Sequence, residues 1–164
     1  MVIEVPFTTK PGEIDELLEK IITFEIPQGN VDESFIQAAG FSLESSKQLV
    51  KVLKMLGFVD DEGKVSTLWK TYISTDDRGT VLASAMKQAY SDLFDSMLCP
   101  YLEDDEVLLG YLKRNVKASP EEMELMLETF RILAEKADFQ DLLCLAGESG
   151  IKIATESERP IPNV

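Results

Sequence analysis

The sequence predicts a mainly α fold: a winged helix-turn-helix with a small β-hairpin wing, followed by a C-terminal helical bundle. Three observations predict it. The front half runs helix, short helix, turn, helix, hairpin, which is the winged-helix order. The second and third helices are separated by only a few residues, as a helix-turn-helix crossing requires. Beyond Asp76 the apolar residues recur almost entirely at helical spacing. The expected organisation is a winged-helix-like unit over residues 1–75, a helical unit over 76–146 sharing its core, and a mobile tail over 147–164.

The first helix follows Pro11, in "PGEIDELLEKIITF". Ile14, Leu17, Leu18, Ile21 and Ile22 form its apolar stripe, and Glu13, Asp15 and Glu16 suit the positive end of its dipole. In "NVDESFIQAAG" Asn30 is the expected cap, with Glu33 three residues on in capping-box spacing and Gly40 as terminator. Ser42 caps the third helix, whose inner stripe is Leu43, Leu49, Val52, Leu53 and Leu56. Gly57 closes it. "FVDDEGKVST" then predicts a hairpin with Phe58 and Val59 on one arm and Val65 to Thr67 on the other. Its turn is Asp61, Glu62 and Gly63.

Trp69, Tyr72 and Ile73 lean a short helix on the core. "DDRGTVLASAMKQAYSDLFDSML" predicts one long helix, with Leu82, Met86, Ala89, Leu93 and Met97 along a face widened by Val81, Ala85 and Tyr90, stopped by Pro100. "EDDEVLLGYLKRN" carries acids at its start and Lys113 and Arg114 at its end. "SPEEMELMLETFRILAEKA" has the clearest start in the chain: Ser119 as cap, Pro120 at the first position and Glu122 at the capping-box position. "FQDLLCLAG" adds at most a turn or two.

Three segments in order resemble a prokaryotic family, domain of unknown function 5343. Its members show "LxxLGxxDxxGxxT", "aYxxLF" and "TFxxLxxxAxF". Here these fall on Leu53 to Ser66, Ala89 to Phe94 and Thr129 to Phe139. The first ends in serine where the family has threonine, which keeps the hydroxyl. The resemblance covers most of residues 6 to 140. It implies a winged-helix-like front and a helical back, and it supplies no established activity and no catalytic residues.

The chain carries 16 basic and 30 acidic residues and no histidine, for a net charge of −14. Without histidine, Ser-His-Asp and Cys-His nucleophile pairs and histidine-bearing zinc sites are excluded. "DEGKVS" lacks the glycine spacing of a phosphate loop and the downstream ligands of a calcium loop. The N-terminus lacks the basic and apolar regions of a secretory signal, and no apolar run reaches the roughly 20 residues that span a bilayer. The expectation is a cytoplasmic, noncatalytic protein with no cofactor and no membrane partner. Cys99 and Cys144 have apolar neighbours and are expected to be reduced, buried thiols, a disulfide between them being the alternative that nothing in the sequence supports.

One candidate site stands out against the acidic background. Residues 1–75 hold seven bases and twelve acids, yet Lys47, Lys51, Lys54, Lys64 and Lys70 lie on the third helix, on the hairpin or just after it. Glu44 is the only acid on that helix. If the front half meets DNA, Ser45, Lys47, Gln48, Lys51 and Lys54 are offered to the groove and Lys64 sits on the wing. Any exposed helix presents such a solvated face, however. The region lacks arginine, the commonest reader of guanine, and Asp60, Asp61 and Glu62 would repel phosphate. The prediction is a noncatalytic regulatory or adaptor protein whose winged helix recognises DNA or a protein through the third helix and wing; the alternative is an acidic protein-interaction module, a subunit or adaptor of a larger assembly, whose acidic back meets a basic partner and which does not bind DNA. Oligomeric state stays open, a homodimer included. The acids of the back half, at Asp76 and Asp77, Glu103 to Glu106, and Glu121 and Glu122, mark helix starts. A metal at Glu103, Asp104 and Asp105 is the weaker reading.

Overall fold

The computed structural model describes residues 5–140. Among them are eight α-helices and one short 3₁₀ turn, so the mainly α expectation holds. α1 is Gly12–Thr23, and Ile14, Leu17, Leu18 and Ile21 point inward while Ile22 is exposed. α2, Glu33–Ala38, is capped by Asp32 rather than Asn30. The Asp32 carboxylate accepts from the Phe35 N–H at 3.0 Å. The start slips because the intervening Val31 N–H is already committed to the Gly63 carbonyl at 2.6 Å, which holds that residue outside the helix.

α3, Leu43–Leu56, starts and stops as the sequence predicts: the Ser42 side chain accepts from the Ser45 N–H, and Gly57 closes it at φ 88°. Its inner residues Leu49, Val52, Leu53 and Leu56 are buried. Leu43, expected among them, is 49% exposed.

No strand is present among the described residues, and the β-hairpin wing is withdrawn. What remains is an isolated antiparallel bridge between Val59 and Val65. The cause lies in the flanking helices. Gly57 ends α3, and Ser66 already caps α4, Thr67–Ser74, so Thr67 belongs to a helix and not to a strand. Too few residues remain on either side to extend a ladder. The turn is instead locked by Asp60, whose carboxylate accepts from the N–H groups of Glu62 and Lys64, both at 2.9 Å. Gly63, at φ 87°, lays its backbone against the α1–α2 linker.

The long helix expected after Asp76 is two helices, α5 (Arg78–Ala89) and α6 (Ser91–Ser96). Tyr90 departs from helical geometry at φ −107°, ψ 36°, although Tyr90 N–H still donates to Met86 and Phe94 N–H to Tyr90. The chain bends at Tyr90 with these two hydrogen bonds kept, and the ring turns edge-on to Phe130 at 5.0 Å. Pro100 opens the 3₁₀ turn Pro100–Leu102 rather than ending the helix, which stops at Ser96.

α7, Asp105–Asn115, is capped by Asp104. α8, Pro120–Lys136, has the full capping box between Ser119 and Glu122. Cys99 is half-buried and disulfide-bonded, against the expected reduced, buried thiol. Apolar neighbours misled there, because the adjoining Leu98 is itself exposed. Cys144, most of "FQDLLCLAG" and the expected mobile tail over 147–164 lie outside the described residues.

One hydrophobic cluster runs through the described residues, from α1 to α8. Trp69 of α4 is fully buried, edge-on to both Phe35 and Phe58. Thr129, buried within α8, accepts from the N–H of Thr8 at 3.4 Å and so ties the N-terminal segment to the last helix. Lys136 pairs with Asp15 and with Glu19 of α1.

Gly63 is the sharpest test of how the turn is held. A Cβ there would lie 3.1 Å from the Val31 carbonyl oxygen, in a backbone conformation that L side chains rarely adopt. Gly63→Ala is expected to lower unfolding stability by about 2 kcal/mol. Urea denaturation should show a lower midpoint at an unchanged slope.

Candidate recognition surface

α3 positions the candidate residues, and its inner face is what orients the outer one. With Leu49, Leu53 and Leu56 buried, the positions three and four residues apart on the opposite side face solvent. Lys47, Lys51 and Lys54 are all exposed there. Among the described residues none of the three makes an ion pair; the pairs present belong to Lys20, Lys64, Arg131 and Lys136. Leu43 stands one turn before Lys47 and is exposed on the same side, so the row reads Leu43, Lys47, Lys51, Lys54. The spacing was visible in the sequence. Its apolar first member was assigned to the core because leucine usually is.

Two of the six candidate residues leave this surface. Ser45 is 2% exposed and cannot be offered to a groove. Gln48 is half-buried, and its side-chain oxygen accepts from both the N–H of Thr9 at 2.8 Å and the Thr9 hydroxyl at 3.2 Å. It serves to dock the N-terminal segment. Lys64 is exposed on the Asp60–Lys64 turn but sits 3.6 Å from Glu62. The lysine expected on the wing is thus partly neutralised by its own turn.

Charge around the row is mixed. Beside Lys54 lies an open cleft of about 240 Å³ between the start of α2 and the turn, walled by Asp32, Glu33 and Glu62. Asp60, at the base of the turn, has its carboxyl held below the ordinary value. The backbone N–H of Lys64 is the largest cause, with help from the Glu62 N–H and the Lys64 charge. Its role is to fix the turn, which keeps the acids of the turn beside the end of the lysine row.

Of the acids considered for a metal, the Asp104 and Asp105 carboxylates are employed elsewhere. Asp104 caps α7 through the Val107 N–H at 3.0 Å. Asp105 receives Arg131 at 2.9 Å, and the Glu103 carbonyl accepts from the same guanidinium at 2.6 Å. Among the described residues no three histidine, cysteine, aspartate or glutamate side chains gather as a metal would need.

A family described as one of unknown function, DUF5343, matches residues 6–142. The chain belongs to that family. No curated protein and no solved structure matches it. The geometry explains why the three DUF5343 segments read as they do. Leu53, Leu56 and Gly57 end α3, Asp60 and Gly63 lock the turn, and Ser66 caps α4. Tyr90 and Phe94 of the second segment meet Phe130 of the third, and Phe139 stacks on Tyr101 at 3.9 Å between ring centres. These residues build the DUF5343 fold. The lysine row lies outside all three segments, except for Lys54 at a variable position.

The depressed titration of Asp60 carries a pH signature. A carboxyl whose folded pKa is lowered stabilises the fold above its unfolded pKa, and that contribution is lost as pH falls through the folded value. The wild type should therefore lose an increment of thermal stability below about pH 4. Asp60→Asn, which cannot ionise, should lack this increment, so the gap in Tm between the two proteins narrows on acidification. A gap that stays constant from pH 6 to pH 3 would show that the Asp60 charge does not hold the turn.

Proposed function

We propose that this DUF5343 protein is a noncatalytic adaptor that recognises an acidic protein surface through the outer face of α3. The observation that carries this reading is the single exposed row of Leu43, Lys47, Lys51 and Lys54, whose lysines have no ion-pair partners among the described residues. Leucine supplies apolar area to bury. Lysine stems add more, and their charges give complementarity to an acidic partner. The order α1, α2, α3 and a tight turn matches the front of a winged helix, and winged helices dock proteins as well as DNA. The lack of histidine in the whole chain supports the noncatalytic part. A cytoplasmic setting goes with this reading. No helix among the described residues is long and apolar enough to cross a membrane.

DNA is the second reading, favoured by three lysines on one helix directly after a helix–turn. Its base-reading component is weak, because Ser45 is buried and Gln48 is held by Thr9. Binding would rest on phosphate contacts, be modest in affinity, and fall steeply with salt.

Fluorescence anisotropy with a mixed-sequence DNA duplex at low and physiological salt separates the two. The adaptor reading expects no binding at either salt. It also expects a Lys47→Glu, Lys51→Glu double variant, and separately Leu43→Asp, to weaken capture of the cellular partner about tenfold or more with an unchanged circular dichroism spectrum. Salt-sensitive DNA binding, with its log–log slope reduced by about 2 in the lysine variant, would replace that reading with DNA.

A further inference from the structure

Cys99 is disulfide-bonded, and the sequence holds one other cysteine, Cys144. The described residues bring the end of the chain to the same place. Cys99 lies between α6 and the 3₁₀ turn, and its carbonyl accepts from the Leu102 N–H at 3.0 Å. Tyr101 is therefore within one turn of it. Beyond α8 the Asp138 N–H donates to the Gly79 carbonyl at 2.8 Å, at the start of α5. Phe139 then stacks on Tyr101 at 3.9 Å between ring centres, and the Lys87 ammonium lies 5.9 Å from the centre of the same Phe139 ring. From Phe139 the chain reaches Cys144 in five residues, a span of up to about 17 Å when extended. Cys99 is thus within reach with α6, α8 and the 3₁₀ turn as they stand.

We infer that Cys99 and Cys144 form an intrachain disulfide that acts as a redox-sensitive clasp, fastening the chain beyond α8 to the linker before the 3₁₀ turn. The bond is open to exchange, because Cys99 is half-buried and the adjoining Leu98 is 69% exposed. The reductant is a small thiol of the glutathione class. Its thiolate attacks one sulfur, forms a mixed disulfide and releases the other cysteine, which takes up a proton. A second thiol then displaces the first, so that both cysteines end as thiols and the two reductant sulfurs are joined. Two electrons and two protons pass to the protein. The Phe139 stack must then persist without a covalent tie, against the entropy of a long loop that the disulfide had removed. The packing of α1 on α8 and of α3 on α5 does not pass through this stretch, so reduction loosens it alone. The clasp stands apart from the α3 row and does not depend on the function assigned to that surface.

The test uses the full chain, first equilibrated with oxidised glutathione and then with dithiothreitol. In the oxidised protein, mass spectrometry is expected to find a monomer with no thiol open to alkylation and one linked pair of peptides carrying Cys99 and Cys144. After native reduction two alkyl groups should be taken up. Hydrogen exchange of the amides around Tyr101 and Phe139 should then quicken roughly tenfold or more, with α1 and α3 unchanged. Cys144→Ser should show the quickened exchange with or without dithiothreitol, at an unchanged circular dichroism spectrum. Reduction of the wild type reads the same effect with no substitution. Free thiols after oxidation, or a bond that joins two chains on a nonreducing gel, would overturn the pairing. Exchange that does not respond to reduction would overturn the clasp. Exchange that quickens equally in every helix would make the bond a staple of the whole fold and overturn the local switch.

Discussion

Phe130 stands near the middle of α8, where Tyr90 meets it edge-on at 5.0 Å and Phe94 lies 6.5 Å away. One residue earlier, the buried Thr129 hydroxyl donates to Leu125 within α8 and accepts from the N-terminal segment. Further along, Lys136 reaches back to Asp15 and Glu19 on α1. Most of the remaining helices are placed by this one helix, directly or at one remove. α1, α5 and α7 all pack on it, and α3 packs on α5. The placement of α3 is thus a long-range consequence of burying a face some 75 residues further along the chain. The lysine row faces outward because α8 fixes what lies behind it.

The polar groups that refine this packing are few and specific. Arg131, also on α8, donates to the carbonyls of Tyr101 and Glu103 and to Asp105, pinning the irregular stretch before α7. Lys20 of α1 donates to the Ala39 carbonyl at 2.6 Å, at the negative end of α2, and lies over the Phe41 ring. A cation there satisfies a carbonyl that the helix end leaves open. Such contacts carry little energy if fully solvated. Their value here is positional: each fixes a segment that has too few apolar residues to fix itself.

Helix ends were the most legible part of the sequence, because a cap is a local event. Ser42, Gly57 and Ser119 act within three or four residues of themselves, and the structure places all three where the pattern predicts. The misreadings share a different cause. Asn30 lost the capping role to Asp32 through a hydrogen bond from Val31 to Gly63, 32 positions away. The helix through Tyr90 bent toward an aromatic ring 40 positions away. Leu43 stayed outside because position in the helix, rather than residue type, sets the direction of a side chain. The wing failed on arithmetic. The caps at Gly57 and Ser66 were readable singly, yet together they leave no room for two strands. At the candidate surface the lysines were legible as spacing. The loss of Ser45 to burial and of Gln48 to Thr9 was not, since both depend on which faces the rest of the chain covers.

The bend at Tyr90 has a consequence for what the molecule can hold. A continuous helix from Arg78 to Ser96 would have carried Tyr90 and Leu93 past α8 along a single axis. From the bend, α5 packs on α3 and α8, and α6 follows as a separate short helix. Among α3, α5, α6, α7 and α8 a cavity of about 50 Å³ is left. Met55 and Met126, the most adaptable apolar residues, occur at its edge. The tyrosine at the bend is buried with its hydroxyl unmet, whereas a phenylalanine would have supplied the same ring without that cost. The bend is therefore held by the ring, edge-on to Phe130, and not by the hydroxyl.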